Sequence, residues 1–113
     1  MQTYSTKGSH VLADIIVPVV QHKETVVGVI SEALKTGGMT ILNHATFDFE
    51  GGGFTSLWLL AESHFSIHTY PEHNYYSMDC YTCGDVDSAK IIVEICEKLG
   101  GKVVNKANII RGL

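Results

Sequence analysis

The stretch that decides the fold is ESHFSIHTYPE, at residues 62–72 of a 113-residue chain. Residues 64–70 read as a β-strand, and the acids, serines and histidines of the stretch lie in an otherwise apolar, strand-like region. Reactive polar groups are unfavourable in such a setting unless they are paired, so a chain tends to keep them where chemistry occurs. This stretch is therefore both the centre of a predicted sheet and the first candidate for a functional site.

Further strands are predicted on both sides of this stretch. Residues 54–62 and 75–83 read as strands, and residues 39–49 as a third, joined to residues 54–62 by a glycine-rich turn at residues 50–53. Consecutive strands joined by short turns indicate an antiparallel arrangement.

Two amphipathic helices interrupt the strands, at residues 24–35 and from the N-cap Asp87 to Leu99, and Gly-Gly follows each. Two further strands are expected, at residues 9–17 and at residues 102–110. Residues 9–17 are apolar on both parities, which predicts little solvent on either face. The order β-α-β-β-β-β-α-β predicts an α+β fold. We expect one domain over residues 1–113, a two-layer α/β sandwich of a mainly antiparallel sheet with two helices on one face.

Composition excludes several classes of protein. Hydrophobic residues make up 45% and charged residues 18%, which is typical of a globular chain. The net charge is −4 and the 8 basic residues are scattered, so no nucleic-acid surface is expected. No apolar run could span a membrane, and residues 1–4 do not resemble a signal peptide. Three cysteines, an odd number, favour a reducing cytoplasm over a disulfide framework.

Two familiar interpretations of the reactive groups are weak. Cys80 and Cys83 form a C-x-x-C that could bind zinc together with His64 and His68, but residues 80 and 83 of a strand point to opposite faces. Ser63, His68 and an acid could form a hydrolase triad, but no G-x-S-x-G elbow surrounds the serine.

A third use of Ser63 fits better. Its hydroxyl can attack the preceding carbonyl and convert the peptide into an ester, because the reacting atoms are already held together. A base such as His68 can then remove the serine α-proton, and the resulting dehydroalanine hydrolyses to a pyruvoyl group, an electron sink made from the chain itself. Thr55 and Ser66 are candidate hydroxyl donors to the oxyanion.

The same residues carry a family resemblance over essentially the whole chain. Residues 61–72, residues 79–84 (DCYTCG) and residues 8–14 (GSHVLAD) together resemble the short prokaryotic S-adenosylmethionine decarboxylase proenzymes. The run from Glu62 to Glu72 is long and specific.

The resemblance implies a role for each matching residue. The chain would cleave itself between Glu62 and Ser63 into fragments 1–62 and 63–113, and Ser63 would become the pyruvoyl group. His68 would be the base of processing, and Cys83 would protonate the product carbanion after the substrate has formed a Schiff base and lost carbon dioxide.

The resemblance also implies substrate contacts and an assembly. Phe49 would stack on the adenine of S-adenosylmethionine near the sulfonium, and Glu72 would hold the ribose hydroxyls. The product would feed spermidine synthesis, and the enzyme would be a homodimer whose active sites are shared between protomers.

Some residues depart from the family pattern and leave alternatives open. Thr55 stands where serine is usual and Tyr70 where tryptophan is usual, so a free basic amino acid such as ornithine or arginine remains a possible substrate. Ser63 and His68 would also point to opposite faces of an uninterrupted strand. Cleavage, a bulge or a bend could resolve that conflict.

Overall fold

Six strands and two helices follow one another in the predicted order in a computed structural model that describes residues 6–83 and 85–113. They are β1 (Gly8–Ile16), α1 (Lys23–Thr36), β2 (Ile41–Asp48), β3 (Phe54–Leu60), β4 (Ser63–Tyr70), β5 (Tyr75–Cys83), α2 (Ser88–Lys98) and β6 (Lys102–Arg111). A short 3-10 helix, Pro71–His73, which the sequence did not predict, lies between β4 and β5. Residues 1–5, which include the start read as lacking a signal peptide, and Gly84 of the cysteine motif lie outside the described residues.

The strands form one sheet in the order β2-β3-β4-β5-β1-β6, and all neighbouring strands are antiparallel. The first strand lies between β5 and the last strand, so the two ends of the chain meet in the sheet. Both helices pack against one face, as their buried residues and their contacts with each other and with the strands show. The predicted α+β two-layer sandwich is confirmed.

The helices form where the predicted apolar stripes lie. In α1 the buried side chains recur at helical spacing, and α2 buries a corresponding stripe. The Asp87 carboxylate accepts a hydrogen bond from the Lys90 backbone N–H at 3.1 Å, so the predicted N-cap of α2 is confirmed. The helix residues that enter the core are Val26, Ile30, Ala33, Leu34, Ile91, Ile92, Ile95 and Cys96.

No described residue range covers the opposite face of the sheet, here called the open face. The prediction that β1 meets little solvent on either face was wrong for the protomer, because Leu12 and Ile16 on this face are 40% and 49% exposed. Leu57 and Leu59 of β3 are exposed on the same face. The apolar residues of both parities in β1 therefore mark a face that lacks a covering layer in the single chain.

Strand ends near the centre of the sheet differ from the prediction in a way that matters for the site. β3 ends at Leu60, two residues earlier than expected, and β4 begins at Ser63. Ala61 and Glu62 form the turn between them.

Within the described ranges, no helix is both long and apolar enough to cross a lipid bilayer.

Candidate active site

The Glu62–Ser63 peptide bond lies at the turn between β3 and β4. Leu60 pairs with Ser63, so only Ala61 and Glu62 connect the two strands. The thiol of Cys83, at the end of β5, donates a hydrogen bond to the carbonyl oxygen of Glu62 at 3.0 Å. Glu62, Ser63 and Cys83 are therefore brought together, and we call them the cleavage half-site.

Two other predicted residues meet further along the same strands. Thr55 of β3 is the register partner of His68 of β4, and their Oγ1 and Nδ1 atoms are hydrogen bonded at 2.8 Å. When Nδ1 carries the hydrogen and donates to Thr55, Nε2 of the imidazole is left free to accept a proton. The contact thus fixes the orientation of the His68 ring.

A cavity of about 270 Å³ lies beside this pair. Phe49 and Glu72 line it together with Thr55 and His68. Phe49 is 54% exposed, so it is not a core residue, and Glu72 is exposed on the 3-10 helix. We call these four residues the substrate half-site, after the substrate contacts that the sequence predicts for Phe49 and Glu72.

The two half-sites are separated within one chain. Ser63 and His68 are five residues apart in β4, and the pairing of β3 with β4 shows no register shift. At about 3.3 Å per residue the two residues are roughly 16 Å apart along the strand. Neither a bulge nor a bend of β4 resolves the conflict noted in the sequence, so His68 cannot reach Ser63 of its own chain in this conformation.

A third cluster, which the sequence did not predict, lies on the open face. The Ser66 hydroxyl donates to Oδ1 of Asp79, so Ser66 is a partner of this carboxylate rather than a neighbour of Ser63. Nε2 of His10 and Nε2 of His64 lie 2.6 and 3.0 Å from Oδ2 of Asp79. The sequence signal for this cluster was weak. Asp79 is an acid in a strand whose other residues are mostly apolar, aromatic or hydroxyl-bearing, and it lies on the same face of that strand as Cys83.

The electrostatics of Asp79 reflect two opposing effects. Burial, the largest single one, raises its pKa, but the hydrogen bonds from Ser66, His10 and His64 together outweigh burial and hold the pKa below its ordinary value. The carboxylate is therefore held as the anion.

The hydrogen-bond pattern also assigns the His10 tautomer. Nη1 of Arg111 lies 3.4 Å from Nδ1 of His10, and a guanidinium can only donate, so the proton of a neutral His10 is on Nε2 and points to Asp79. The three groups lie within 4.8 Å of one another and are metal-ligand types. In that tautomer Nε2 of His10 donates a hydrogen bond to Asp79, so this nitrogen does not offer a lone pair to a metal ion.

The zinc set considered from the sequence is not brought together. Cys80 is fully buried on the helix-covered face, and burial raises its pKa to about 12. His64 and His68 have the opposite parity to the buried Phe65 and Ile67 of β4, so they lie on the open face. The hydrolase triad fails for a similar reason, because its serine and histidine are remote from each other.

Comparisons with known proteins agree with this fold and motif. The sequence profile described as S-adenosylmethionine decarboxylase matches residues 9–112. The chain is 35% identical to the S-adenosylmethionine decarboxylase proenzyme 2 of Bacillus anthracis, over 97% of this chain and 93% of that protein. It is 37% identical to the proenzyme of Symbiobacterium thermophilum, over 96% and 86%.

A solved structure is similar over almost the whole length. The crystal structure of the adenosylmethionine decarboxylase from Aquifex aeolicus VF5 superposes with a TM-score of 0.76 and 30% sequence identity, over 96% of this chain and 91% of that one. Sequence, profile and fold agree, and the chain belongs to the S-adenosylmethionine decarboxylase family.

Proposed function

We propose that this protein is a self-cleaving proenzyme that decarboxylates S-adenosylmethionine and so makes the aminopropyl donor for spermidine synthesis. The observation that carries the proposal is the Cys83 thiol on the carbonyl oxygen of Glu62, at the peptide bond where the family resemblance puts self-cleavage. A thiol at this bond serves both the cleavage and the later chemistry at Ser63.

Cleavage begins with Ser63. Its Oγ attacks the carbonyl carbon of Glu62, the C–N bond breaks, and the hydroxyl proton ends on the released nitrogen. The Cys83 thiol donates to the oxygen on which negative charge develops. A base then removes the Ser63 α-proton and the Glu62 carboxylate leaves, after which water enters, ammonia departs and fragments 1–62 and 63–113 remain.

The pyruvoyl group made from Ser63 fits these surroundings. It needs a serine at a turn where the new chain ends can separate, and a proton donor within reach. The two-residue turn and the nearby Cys83 thiol supply both. The group would supply a carbonyl electron sink for the pair of electrons left when carbon dioxide departs.

The side chains of the substrate half-site suit the adenine, sulfonium and ribose groups of S-adenosylmethionine. The exposed ring of Phe49, 5.0 Å from that of Phe47, offers an aromatic face to adenine and to the sulfonium. Glu72 offers carboxylate oxygens to the ribose hydroxyls. The cavity of about 270 Å³ is just below the roughly 300–1,000 Å³ of sites for drug-sized ligands, so it holds part of the substrate.

A homodimer completes the site. Because the half-sites lie roughly 16 Å apart along one strand, two sheets that pack through their open faces in opposite directions bring the Glu62–Ser63 turn of one protomer beside the His68 of its partner. Exposed apolar side chains on this face favour such packing; they are Leu12, Ile16, Leu57, Leu59 and Ile109. His68 then acts as the base for the partner's Ser63, and Cys83 protonates the product carbanion.

The test is intact mass spectrometry and a denaturing gel of the purified protein, followed by assay of carbon dioxide release. We expect two fragments that separate at Glu62–Ser63, a carbonyl on the second fragment that reacts with hydrazine, and turnover of S-adenosylmethionine. The Ser63→Ala variant should give one intact chain and no turnover.

The same assay with ornithine and arginine distinguishes the substrates. Cleavage with turnover of either free amino acid in place of S-adenosylmethionine would retain the self-cleavage and reject the substrate. An intact, unreactive chain would reject the proposal as a whole.

A further inference from the structure

The residue on the acyl side of the proposed cleavage bond has an unfavourable backbone conformation. Glu62 has a φ of +62°, and among the described residues only Asn74 is another non-glycine residue with positive φ. Asparagine tolerates the left-handed region, whereas a glutamate there places its Cβ too close to the neighbouring carbonyl. The backbone at Glu62 is therefore strained and the backbone at Asn74 much less so.

The geometry of the turn does not favour a glutamate at position 62. A two-residue connection whose second residue has positive φ is usually served by glycine or asparagine at that position. The Glu62 side chain is exposed, and no described residue forms an ion pair or hydrogen bond with its carboxylate. Within residues 6–83 and 85–113, side-chain contacts of Glu62 thus do not compensate for the strain.

Contacts from two other segments, together with the pairing of the flanking strands, hold the turn in place. The Ala61 N–H donates to the carbonyl of Thr40 at 3.1 Å. The Cys83 thiol holds the Glu62 carbonyl, and the β3–β4 pairing holds both ends. A strained conformation persists when its surroundings over-determine it in this way.

We propose that this strain at Glu62 accelerates self-cleavage; the inference rests on the proposed function. When Ser63 Oγ bonds to the Glu62 carbonyl carbon and the C–N bond breaks, the path between Glu62 C and Ser63 Cα lengthens by one atom. It then runs through Oγ and Cβ instead of N, and the planar amide is lost. Glu62 can relax towards negative φ as this occurs, so the strain raises the energy of the precursor more than that of the transition state.

The experiment compares Glu62→Gly and Glu62→Asn, which relieve strain, with Glu62→Ala, which keeps Cβ but lacks the carboxylate. Precursor produced by cell-free synthesis is followed on denaturing gels. The Glu62→Gly variant should cleave itself roughly five- to thirty-fold more slowly than the Glu62→Ala variant. This factor corresponds to the free-energy penalty of the left-handed conformation for a residue with a Cβ. The cleavage rate of the Glu62→Asn variant should lie between those of the other two.

Two controls separate strain from other effects. Asn74→Gly adds a glycine at the other left-handed position and should leave the cleavage rate unchanged. In the uncleavable Ser63→Ala background, Glu62→Gly should melt at a higher temperature than Glu62→Ala, because the strain is absent and both proteins are intact.

The outcomes are distinct from those of the proposed function. If the parent protein never cleaves, the proposed function fails, while the melting temperatures still report whether Glu62 is strained. If the parent cleaves and the glycine and asparagine variants cleave as fast as alanine, or the melting order is absent, the inference is overturned.

Discussion

At the scale of single residues, Asp79 links three strands through hydrogen bonds on the partly exposed open face. Its side chain is 22% exposed and has partners on β1 and β4. Because these bonds favour the ionised form, the carboxylate contributes to stability only while it is charged.

The Asp79→Asn variant tests this contribution in the uncleavable Ser63→Ala background. The folded-state pKa of Asp79 lies below its unfolded value. Its stabilisation is therefore present above the unfolded pKa, about 3.9, and is lost as pH falls through the folded value. We expect a lower melting temperature than the background at pH 7 and a difference that shrinks below about pH 4.

Asp48→Asn provides the matched control for that experiment. Asp48 pairs with Lys23 at 2.9 Å but is 62% exposed, so the loss should be small. A difference between Asp79→Asn and the background that stays constant down to pH 3 would contradict the assignment.

The effect of Thr55 on self-cleavage can be tested by single substitutions. Its hydroxyl is bonded to Nδ1 of His68, so Thr55→Ala removes the contact that orients the base. We expect self-cleavage to slow roughly fivefold, as for the loss of one hydrogen bond. Thr55→Ser keeps the hydroxyl without the methyl group and should cleave much faster than alanine, as measured by gel time courses. Equal rates for serine and alanine would exclude the positioning role.

At the scale of elements, α2 depends on one capping interaction. Asp87 accepts a hydrogen bond from the Lys90 N–H, and this bond satisfies a backbone donor that has no partner inside the helix. The helix packs its apolar stripe over β1, β5 and β6, so its first turn anchors a large part of the second layer.

Removing that cap should destabilise the fold without touching the site. Asp87→Ala should lower the free energy of unfolding by about 1 kcal/mol, which corresponds to a melting-temperature decrease of about 4 °C. Asp87→Asn should recover most of the loss. Asp85→Ala, which changes a nearby exposed aspartate, is the control in thermal unfolding, and a loss equal to that of Asp87→Ala would contradict the capping argument.

At the scale of the whole molecule, the separation of the half-sites is the main structural result. One sheet presents a cleavage half-site towards one end of β4 and a substrate half-site towards the other. If two sheets packed face to face in opposite directions, the cleavage half-site of one protomer would lie beside the substrate half-site of its partner.

Mixed dimers test this arrangement directly. Ser63→Ala and His68→Ala should each remain uncleaved alone. Co-expressed with different tags, they should form mixed dimers in which the His68→Ala chain alone is cleaved, because its Ser63 meets the histidine of its partner.

The control mixes His68→Ala with His68→Gln, which share one lesion and should not rescue each other. Absence of cleavage in the first mixture, despite mixed dimers recovered through both tags, would show that the sites lie within single chains.

The sequence by itself determined the order of the helices and strands and the fold class. Local patterns suffice for these conclusions, because helical spacing, strand composition and the glycine turns are properties of neighbouring residues. The roles predicted for Ser63 and His68 came instead from the resemblance of the surrounding motif to a known family, and they stay predictions.

Only the tertiary structure decided which of those residues meet. The pairing of β4 with β5 brings Cys83 to the Glu62 carbonyl, and the insertion of β1 beside β5 brings His10 to Asp79. These contacts join residues far apart in the chain, and the strand register that sets them is fixed by the whole sheet. The distance between Ser63 and His68 follows from an unbroken strand, which sequence periodicity could not distinguish from a bent or bulged one.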